Sequence, residues 1–303
     1  MTVNPLLGGK RFSVGLNLSE SYSALAEFIR KYQACLSSIY FSIPLGKAFY
    51  SRSELENEFK TPNAEEKLFS VLALMRECGI RSELAINIYG LGEAELDCVD
   101  DYVDRNSLQL DEIVCLAEYG QHFRAAYPRA EIKYSFNNPT LRQLDPFDSI
   151  VVGKGYLRNK LIRHALLAEG KSLVLLLNNG CSFCCCFPCG DSGFCESLLK
   201  PTVDKYGVDY TYALQSFFPE ELKRLLLTDE YAATYRLKIS NRPLGLAYTC
   251  AALDAYLSLG DVGALIWEDV NNYALFCTMR QLLLRREEFH YDRILQYKAT
   301  LKV

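Results

Sequence analysis

The sequence lacks several features that would place it in a common class of protein. No run of 18 apolar residues occurs in its 303 positions, so no membrane span is predicted. Residues 1–15 lack the basic region and apolar core of a secretory signal. Basic side chains are not in excess, since 33 Lys and Arg stand against 37 Asp and Glu and the formal net charge is −4. This balance disfavours a protein that binds nucleic acid mainly by charge.

Histidine is also scarce. The three histidines, His122, His164 and His290, fall on predicted helices or near the end of the chain. No Ser–His–Asp set is apparent, so neither a serine hydrolase nor a histidine-based zinc hydrolase is supported. The chain also shows no linker, low-complexity stretch or internal repeat.

Cysteine, by contrast, is abundant, with twelve residues in a chain that we expect to be cytoplasmic. Reduced thiols, a metal or a cluster are favoured over disulfides in that compartment. Six cysteines are scattered singly among mostly apolar neighbours, which predicts small buried side chains: Cys35, Cys78, Cys98, Cys115, Cys250 and Cys277.

The other six cysteines lie within residues 181–195, in the stretch NNGCSFCCCFPCGDSGFC. Thiolates at this density favour an iron–sulfur cluster, with zinc and redox-active thiols as alternatives. The C-x2-C pairs stand too close together for an ordinary zinc ribbon. A radical-SAM motif is disfavoured, because Cys181 and Cys185 fit C-x3-C-x2-C but its third position is Pro188.

The apolar pattern predicts an α/β fold of eight strands alternating with helices. Several strands are continuous apolar runs, as in parallel sheets covered on both faces. Eight such units predict a (β/α)8 TIM-like barrel over residues 1–259, with a cysteine-rich insertion at 178–200 after strand seven. Residues 260–303 are predicted to be a helical extension packed on the barrel. The predicted strands are 12–17, 37–43, 82–89, 111–116, 130–136, 148–152, 172–177 and 234–239.

Chemistry in such barrels collects where the strands end. The residues there are rich in amides and cations and poor in carboxylates, which disfavours a paired-carboxylate hydrolase. An amide-lined pocket is predicted from Asn17, Asn87 and Asn137. Cations that we expect to converge on a small anionic molecule are Lys154, Arg158, Lys238 and Arg242. Lys238 stands out because an unpaired ammonium group in an apolar strand is costly to bury.

Two segments resemble the collagenase-like peptidase family, unassigned-peptidase family 32. The first is NNGC at 178–181. The second is FFPEELKRLLLTDEYAATYRLKISNR, which is similar to a family segment in which a helix precedes a strand reading F-K-I-E-G-R. Lys238, Ile239 and Arg242 match that strand, whereas Ser240 and Asn241 replace its Glu and Gly.

The resemblance implies a TIM-barrel-like domain that holds a [4Fe–4S] cluster on four cysteines. By the same resemblance, Cys181 and Cys185 fit the ligand positions best, with Cys195 as a later ligand. We expect Cys189 to be the fourth, although the other clustered cysteines leave alternatives to this set. Several members of the family look like oxygen-independent hydroxylation enzymes, which act on RNA bases or on a ubiquinone precursor as paired subunits. Lys238 and Arg242 are then the expected catalytic residues.

Three functions follow as hypotheses. The first is an oxygen-sensitive iron–sulfur enzyme that modifies an organic molecule or, less favoured by charge, an RNA base. The second is a non-catalytic subunit that binds zinc or a cluster and contacts a partner protein. The third is a peptidase, for which the sequence shows no nucleophile–base pair.

Overall fold

Eight parallel strands close into a barrel in the order of the chain. The computed structural model describes residues 3–9, 11–45, 58–88, 90–135, 144–153, 157, 160–178, 217–240 and 245–259. Each strand pairs with the next, and β8 pairs with β1. The strands are β1 (Phe12–Gly15), β2 (Leu36–Phe41), β3 (Arg81–Ile86), β4 (Glu112–Cys115), β5 (Glu131–Ser135), β6 (Ser149–Val152), β7 (Ser172–Leu176) and β8 (Arg236–Lys238).

Helices connect the strands, which confirms the predicted (β/α)8 barrel. They are α1 (Tyr22–Tyr32), α2 (Ala64–Glu77), α3 (Glu93–Arg105), α4 (Gly120–Ala126), α5 (Lys160–Ala168), α6 (Pro219–Thr228) and α7 (Gly245–Ser258). None of these helices is both long and apolar enough to span a bilayer. Residues 260–303 lie outside the described ranges, so the helical extension and the domain boundary at 259 stay predictions.

Helix boundaries follow local signals that the sequence carries. The Ser21 hydroxyl caps α1 by accepting the N–H of Ala24 at 3.2 Å. Thr61 followed by Pro62 predicts a helix over residues 62–78 with Thr61 as its N-cap, but this prediction is wrong about the cap. The Thr61 hydroxyl donates to the carbonyl of Glu58 at 2.8 Å, and the helix begins later, after Asn63 in a left-handed conformation.

The core has two layers because side chains alternate along each strand. Outward side chains such as Leu84, Ile113 and Leu175 are fully buried under the helices. Inward positions are different, since only a small apolar cluster lies inside the barrel, at Val114, Val151 and Val174. Ala85 and Leu176 pack against this cluster, and many of the other described inward positions carry polar and charged side chains, described below.

Five of the singly placed cysteines are described, and all five are free thiols. Cys35 and Cys115 are buried as predicted, and burial raises the pKa of Cys35 to about 11. Cys98, however, is exposed. Its burial was expected from apolar neighbours, but the buried stripe of α3 runs through Leu96 and Val99 and leaves Cys98 on the solvent side.

A buried carboxylate, Asp229, anchors the chain just before β8. It pairs with Arg163 of α5 at 2.6 Å and accepts the hydroxyl of Tyr235 at 3.0 Å. His164 lies 3.1 Å from its other oxygen. Burial alone would raise the pKa of Asp229, but the hydrogen bonds, with that from Arg163 the strongest, lower it to about 2. Asp229 therefore helps to set the position of β8, which carries Lys238.

This anchor predicts an acid-sensitive contribution to stability. A carboxylate whose folded pKa lies below its ordinary value of 3.8 stabilises the fold above that pH, and the contribution is lost as pH falls toward about 2. We expect Asp229→Asn to be less stable than the native chain at pH 6 and to lose less stability on acidification. Urea unfolding between pH 6 and 2 measures this, with the exposed Asp101→Asn as control. An equal acid slope in Asp229→Asn and the native chain would contradict the role of Asp229.

Candidate active site at the carboxyl end of the barrel

A column of charged side chains fills the inside of the barrel. It is built from inward positions of β3, β4, β5 and β8, and each member contacts at least one of opposite charge. The four cations are Arg81, Lys133, Arg236 and Lys238, and the three carboxylates are Glu83, Glu112 and Glu131.

The lower part of the column lies where the strands begin. Arg81, the first residue of β3, pairs with Glu112 at 2.7 Å and with Glu131 at 3.1 Å. Arg236, the first residue of β8, pairs with the same two carboxylates. Ser149 donates a further hydrogen bond to Glu131 at 2.7 Å. These contacts tie together five strands, β3, β4, β5, β6 and β8, at the amino end of the barrel.

The middle of the column is fully buried. Lys133 lies between two glutamates, 2.6 Å from Glu83 and in direct contact with Glu112. Its side chain is 1% exposed and both carboxylates are 0% exposed. Glu83 also accepts hydrogen bonds from Ser13 at 3.2 Å and Ser38 at 3.3 Å. Buried charges of this kind persist only when paired and hydrogen-bonded.

Lys238 forms the upper end of the column, at the last residue of β8. Its ammonium group pairs with Glu83 and stands 4.1 Å from the centre of the Tyr40 ring. The Tyr40 hydroxyl donates to the carbonyl of Ile239 at 3.0 Å, which fixes the ring beside the end of β8. The Lys238 side chain is 9% exposed. Glu83 and Lys133 lie deeper in the barrel, so Lys238 is the member of the column nearest its carboxyl end.

The charged groups of the column differ in the direction in which burial and neighbouring charges shift their pKa values. Burial raises the pKa of Glu83, but the charges of Lys133 and Lys238 outweigh it and hold that pKa well below its usual range. For Glu112 burial prevails, and its pKa is raised. Burial also lowers the pKa of Lys238, against the opposing effect of Glu83. Glu83 is therefore the fixed anion on which both lysines depend.

A side-chain clamp joins β7 to β8 at the same end. The Asn178 side-chain carbonyl accepts the backbone N–H of Ser240 at 2.6 Å, and its amide donates to the Ser240 carbonyl at 3.0 Å. The amide also lies 3.3 Å from the Tyr248 hydroxyl. Asn178 is buried and stands two residues past β7. The clamp therefore places the start of the cysteine-rich segment beside the strand that carries Lys238.

Two of the predicted amides lie at this end of the barrel. Asn17 is buried two residues past β1, and its side-chain carbonyl accepts the N–H of Ser19 at 3.0 Å and its hydroxyl at 2.6 Å. Asn17 thus shapes the loop after β1. Asn87 directly follows β3 and is half-buried.

The other eight predicted site residues all lie outside the described ranges. Their convergence with Lys238 stays a prediction. They are Asn137, Lys154, Arg158, Arg242, Cys181, Cys185, Cys189 and Cys195. Within the described ranges, no group of three or more His, Cys, Asp and Glu side chains is arranged to hold a metal ion.

Sequence reasoning singled out Lys238 but missed its partners. Glu83, Glu112 and Lys133 carry the same signal, a charge at an inward position of an otherwise apolar strand. The predicted site residues were all taken from the strand ends, and these three positions lie deeper in the barrel. Both glutamates are bonded to lysine and shielded from solvent, so they do not form an acid–base pair for hydrolysis.

Comparison with known proteins does not assign a family. No family model and no curated protein matches the chain. Among solved structures, a GH113 β-1,4-mannanase is 10% identical over 79% of this chain and 89% of its own, with a TM-score of 0.43. A U32 peptidase is 11% identical, over 77% of this chain and 94% of its own, with a TM-score of 0.41. The tryptophan synthase α-subunit of Pyrococcus furiosus is 10% identical, over 86% and 96%, with a TM-score of 0.45. Similarities of this extent do not bear on function.

Proposed function

We propose that this barrel is a cytoplasmic iron–sulfur enzyme that modifies a small anionic organic molecule, with oxygen-independent hydroxylation as the first reaction to test. In this proposal Cys181, Cys185, Cys189 and Cys195 hold a [4Fe–4S] cluster. Lys238 and Arg242 bind the anionic group of the substrate. A reducing compartment is part of the proposal, because thiolates ligate a cluster only when they are reduced.

The observation that supports it best is the clamp between Asn178 and Ser240. Cys181 follows Asn178 by three residues, and a trans peptide chain advances at most about 3.6 Å per residue. The backbone of Cys181 is therefore within about 11 Å of Asn178, which is bonded to the chain two residues past Lys238. A cluster held on this cysteine and its neighbours would lie near the carboxyl end of the barrel.

The donor set fits an iron–sulfur cluster in its chemistry. Six thiols within fifteen positions supply more than the four that a cubane cluster takes. When bound, such a cluster supplies electron transfer or, at an iron without a protein ligand, Lewis-acid chemistry.

The described residues supply binding and orientation. The Lys238 ammonium group is positioned by Glu83 and by the Tyr40 ring to meet an anion that enters from the carboxyl end. Asn178 holds the end of β8 in place, and the column below Lys238 closes the barrel from the other side. The two described histidines are not part of this end: His122 bonds to Asp100 between outer helices, and His164 belongs to the Asp229 anchor.

Anaerobic purification followed by metal analysis tests the proposal. We expect brown protein with about four iron and four sulfide per chain. Stoichiometric zinc without iron or sulfide would contradict it and would support a zinc-binding scaffold subunit instead. Hydrolysis of a peptide panel by a chain without its clustered cysteines would support the peptidase.

A further inference from the structure

We propose that the upper inside of the barrel binds a small monocarboxylate. Its carboxylate pairs with Lys238, and its apolar part packs against the inward side chains of Ala85 and Leu176. This inference rests on the proposed function for the reaction that follows, and it names the substrate class of the same site.

The charge distribution in the column is the first support. Within the part of the chain that the structure describes, four cations of the column face three carboxylates, so one positive charge is left over. Lys133 contacts two glutamates, whereas Lys238 contacts one described carboxylate, Glu83, and shares it with Lys133. The two arginines at the lower end each contact two carboxylates. The surplus charge therefore lies at Lys238.

The hydrogen bonds of Lys238 agree with that charge distribution. An ammonium group has three N–H donors. Among the residues that the structure describes, one acceptor is bonded to them, the Glu83 carboxylate, while the Tyr40 ring covers a second side. The side chain is nine-tenths buried and belongs to the last residue of β8, at the carboxyl end of the barrel. An incompletely bonded buried cation is costly, and an anion arriving from that end would relieve the cost.

Two apolar side chains line the inside of the barrel, on β7 next to the strand of Lys238 and on β3, the strand of its partner Glu83. Leu176 of β7 is paired in register with Lys238, and Ala85 stands one inward position above Glu83 on β3. Both pack against the buried cluster of Val114 and Val151, yet both stay partly exposed. Solvent-accessible apolar side chains inside a barrel form a wall for a ligand.

Among the described residues, one cation, Lys238, lies beside this apolar wall, which favours a ligand with a negative charge at one end and an apolar body. A phosphate dianion or a sugar would leave charges or hydroxyl groups unpaired against Leu176 and Ala85. A monocarboxylate satisfies both features, with its two oxygens on the ammonium group and its carbon skeleton on the wall.

Benzoate and its neutral isostere benzamide test the inference on the full chain, purified with its metal and again after chelation. We expect benzoate to raise Tm and to bind measurably by calorimetry in both preparations, and benzamide to do neither. Equal responses to the two probes, or no response to benzoate, would overturn the inference. Failure of this inference can be distinguished from failure of the proposed function. Iron and sulfide content tests whether the chain holds a cluster, whereas benzoate binding tests the ligand site.

Two variants locate the binding. Lys238→Met should weaken benzoate binding by about tenfold to a hundredfold, the usual effect of losing a charged hydrogen bond, while the exposed Lys223→Met leaves it unchanged. The fold should survive, since Glu83 keeps Lys133 as a partner. Ala85→Leu provides an independent test, because the larger side chain would occupy the space proposed for the ligand. It should weaken benzoate binding about tenfold or more. Benzoate binding that is unchanged in both variants would place the ligand elsewhere and overturn the assignment.

Discussion

Glu83→Gln is expected to lower the free energy of unfolding by about 3–5 kcal/mol at neutral pH, the usual cost of breaking a buried charge pair from one side. Glutamine keeps the size of the side chain and an acceptor for Ser13 and Ser38, so the loss arises from charge rather than from a cavity. Without Glu83, Lys238 has no carboxylate among the described residues, and Lys133 keeps only Glu112. Urea unfolding followed by circular dichroism measures the effect.

The pH dependence of the same variant identifies the cause. The buried amine of Lys238, which then lacks its anion, is easier to deprotonate in the folded chain than in the unfolded one. The unfolded state then binds more protons, so the stability of Glu83→Gln should rise with pH above neutrality and recover part of the loss. A loss that is independent of pH between 7 and 10 would point to packing instead.

A matched control is the exposed pair of Lys160 and Glu230, 3.5 Å apart and about half to two-thirds exposed. Glu230→Gln should change stability by less than about 1 kcal/mol, because exposed ion pairs contribute little. A triple variant in which leucine or methionine replaces Glu83, Lys133 and Lys238 should be more stable than Glu83→Gln, since apolar groups of similar volume can replace a buried ion pair. A stability loss in Glu83→Gln no larger than in Glu230→Gln would contradict the buried column.

Much of the barrel could be predicted from the sequence because its strands carry a strong local signal. Outward residues such as Ile113 and Leu175 are covered by helices, so each strand is an apolar run that differs from the amphipathic helices around it. All eight predicted strands are present, with ends that differ by at most three residues. Helix starts were less certain, as Asn63 shows, because a cap depends on how the preceding turn folds.

The charged column could be predicted only in part. The cost of burying an ammonium group pointed to Lys238 without its partner, since Glu83 stands 155 positions away in the sequence. Their contact depends on the closure of the barrel and on the register of β8 against β1. Neither can be predicted from the residues that flank Lys238 or Glu83 in the sequence. The same holds for Asn178, whose clamp on Ser240 spans 62 positions. Local patterns thus predicted the strands, and the contacts across the barrel needed the structure.

Cys181→Ser is expected to abolish the brown colour and the iron of anaerobically purified protein. In the proposed ligand set each iron of the cluster takes one thiolate, and Cys181 is the member nearest in sequence to the clamped Asn178. Serine has nearly the same size but a harder oxygen donor, which suits the cluster iron poorly. The measurement is iron and sulfide per chain together with the visible absorption spectrum.

The chain offers two controls for this prediction. Cys98→Ser changes a free, exposed thiol on α3, outside the barrel, and should keep its iron. Cys184→Ser changes a clustered cysteine outside the proposed ligand set, so it should also keep iron, whereas Cys185→Ser should lose it. Loss in Cys184→Ser with retention in Cys185→Ser would keep the cluster but correct the ligands. If Cys181→Ser retains as much iron as Cys98→Ser, Cys181 is not a ligand of the metal. The proposed position of the cluster next to the end of β7 is then wrong.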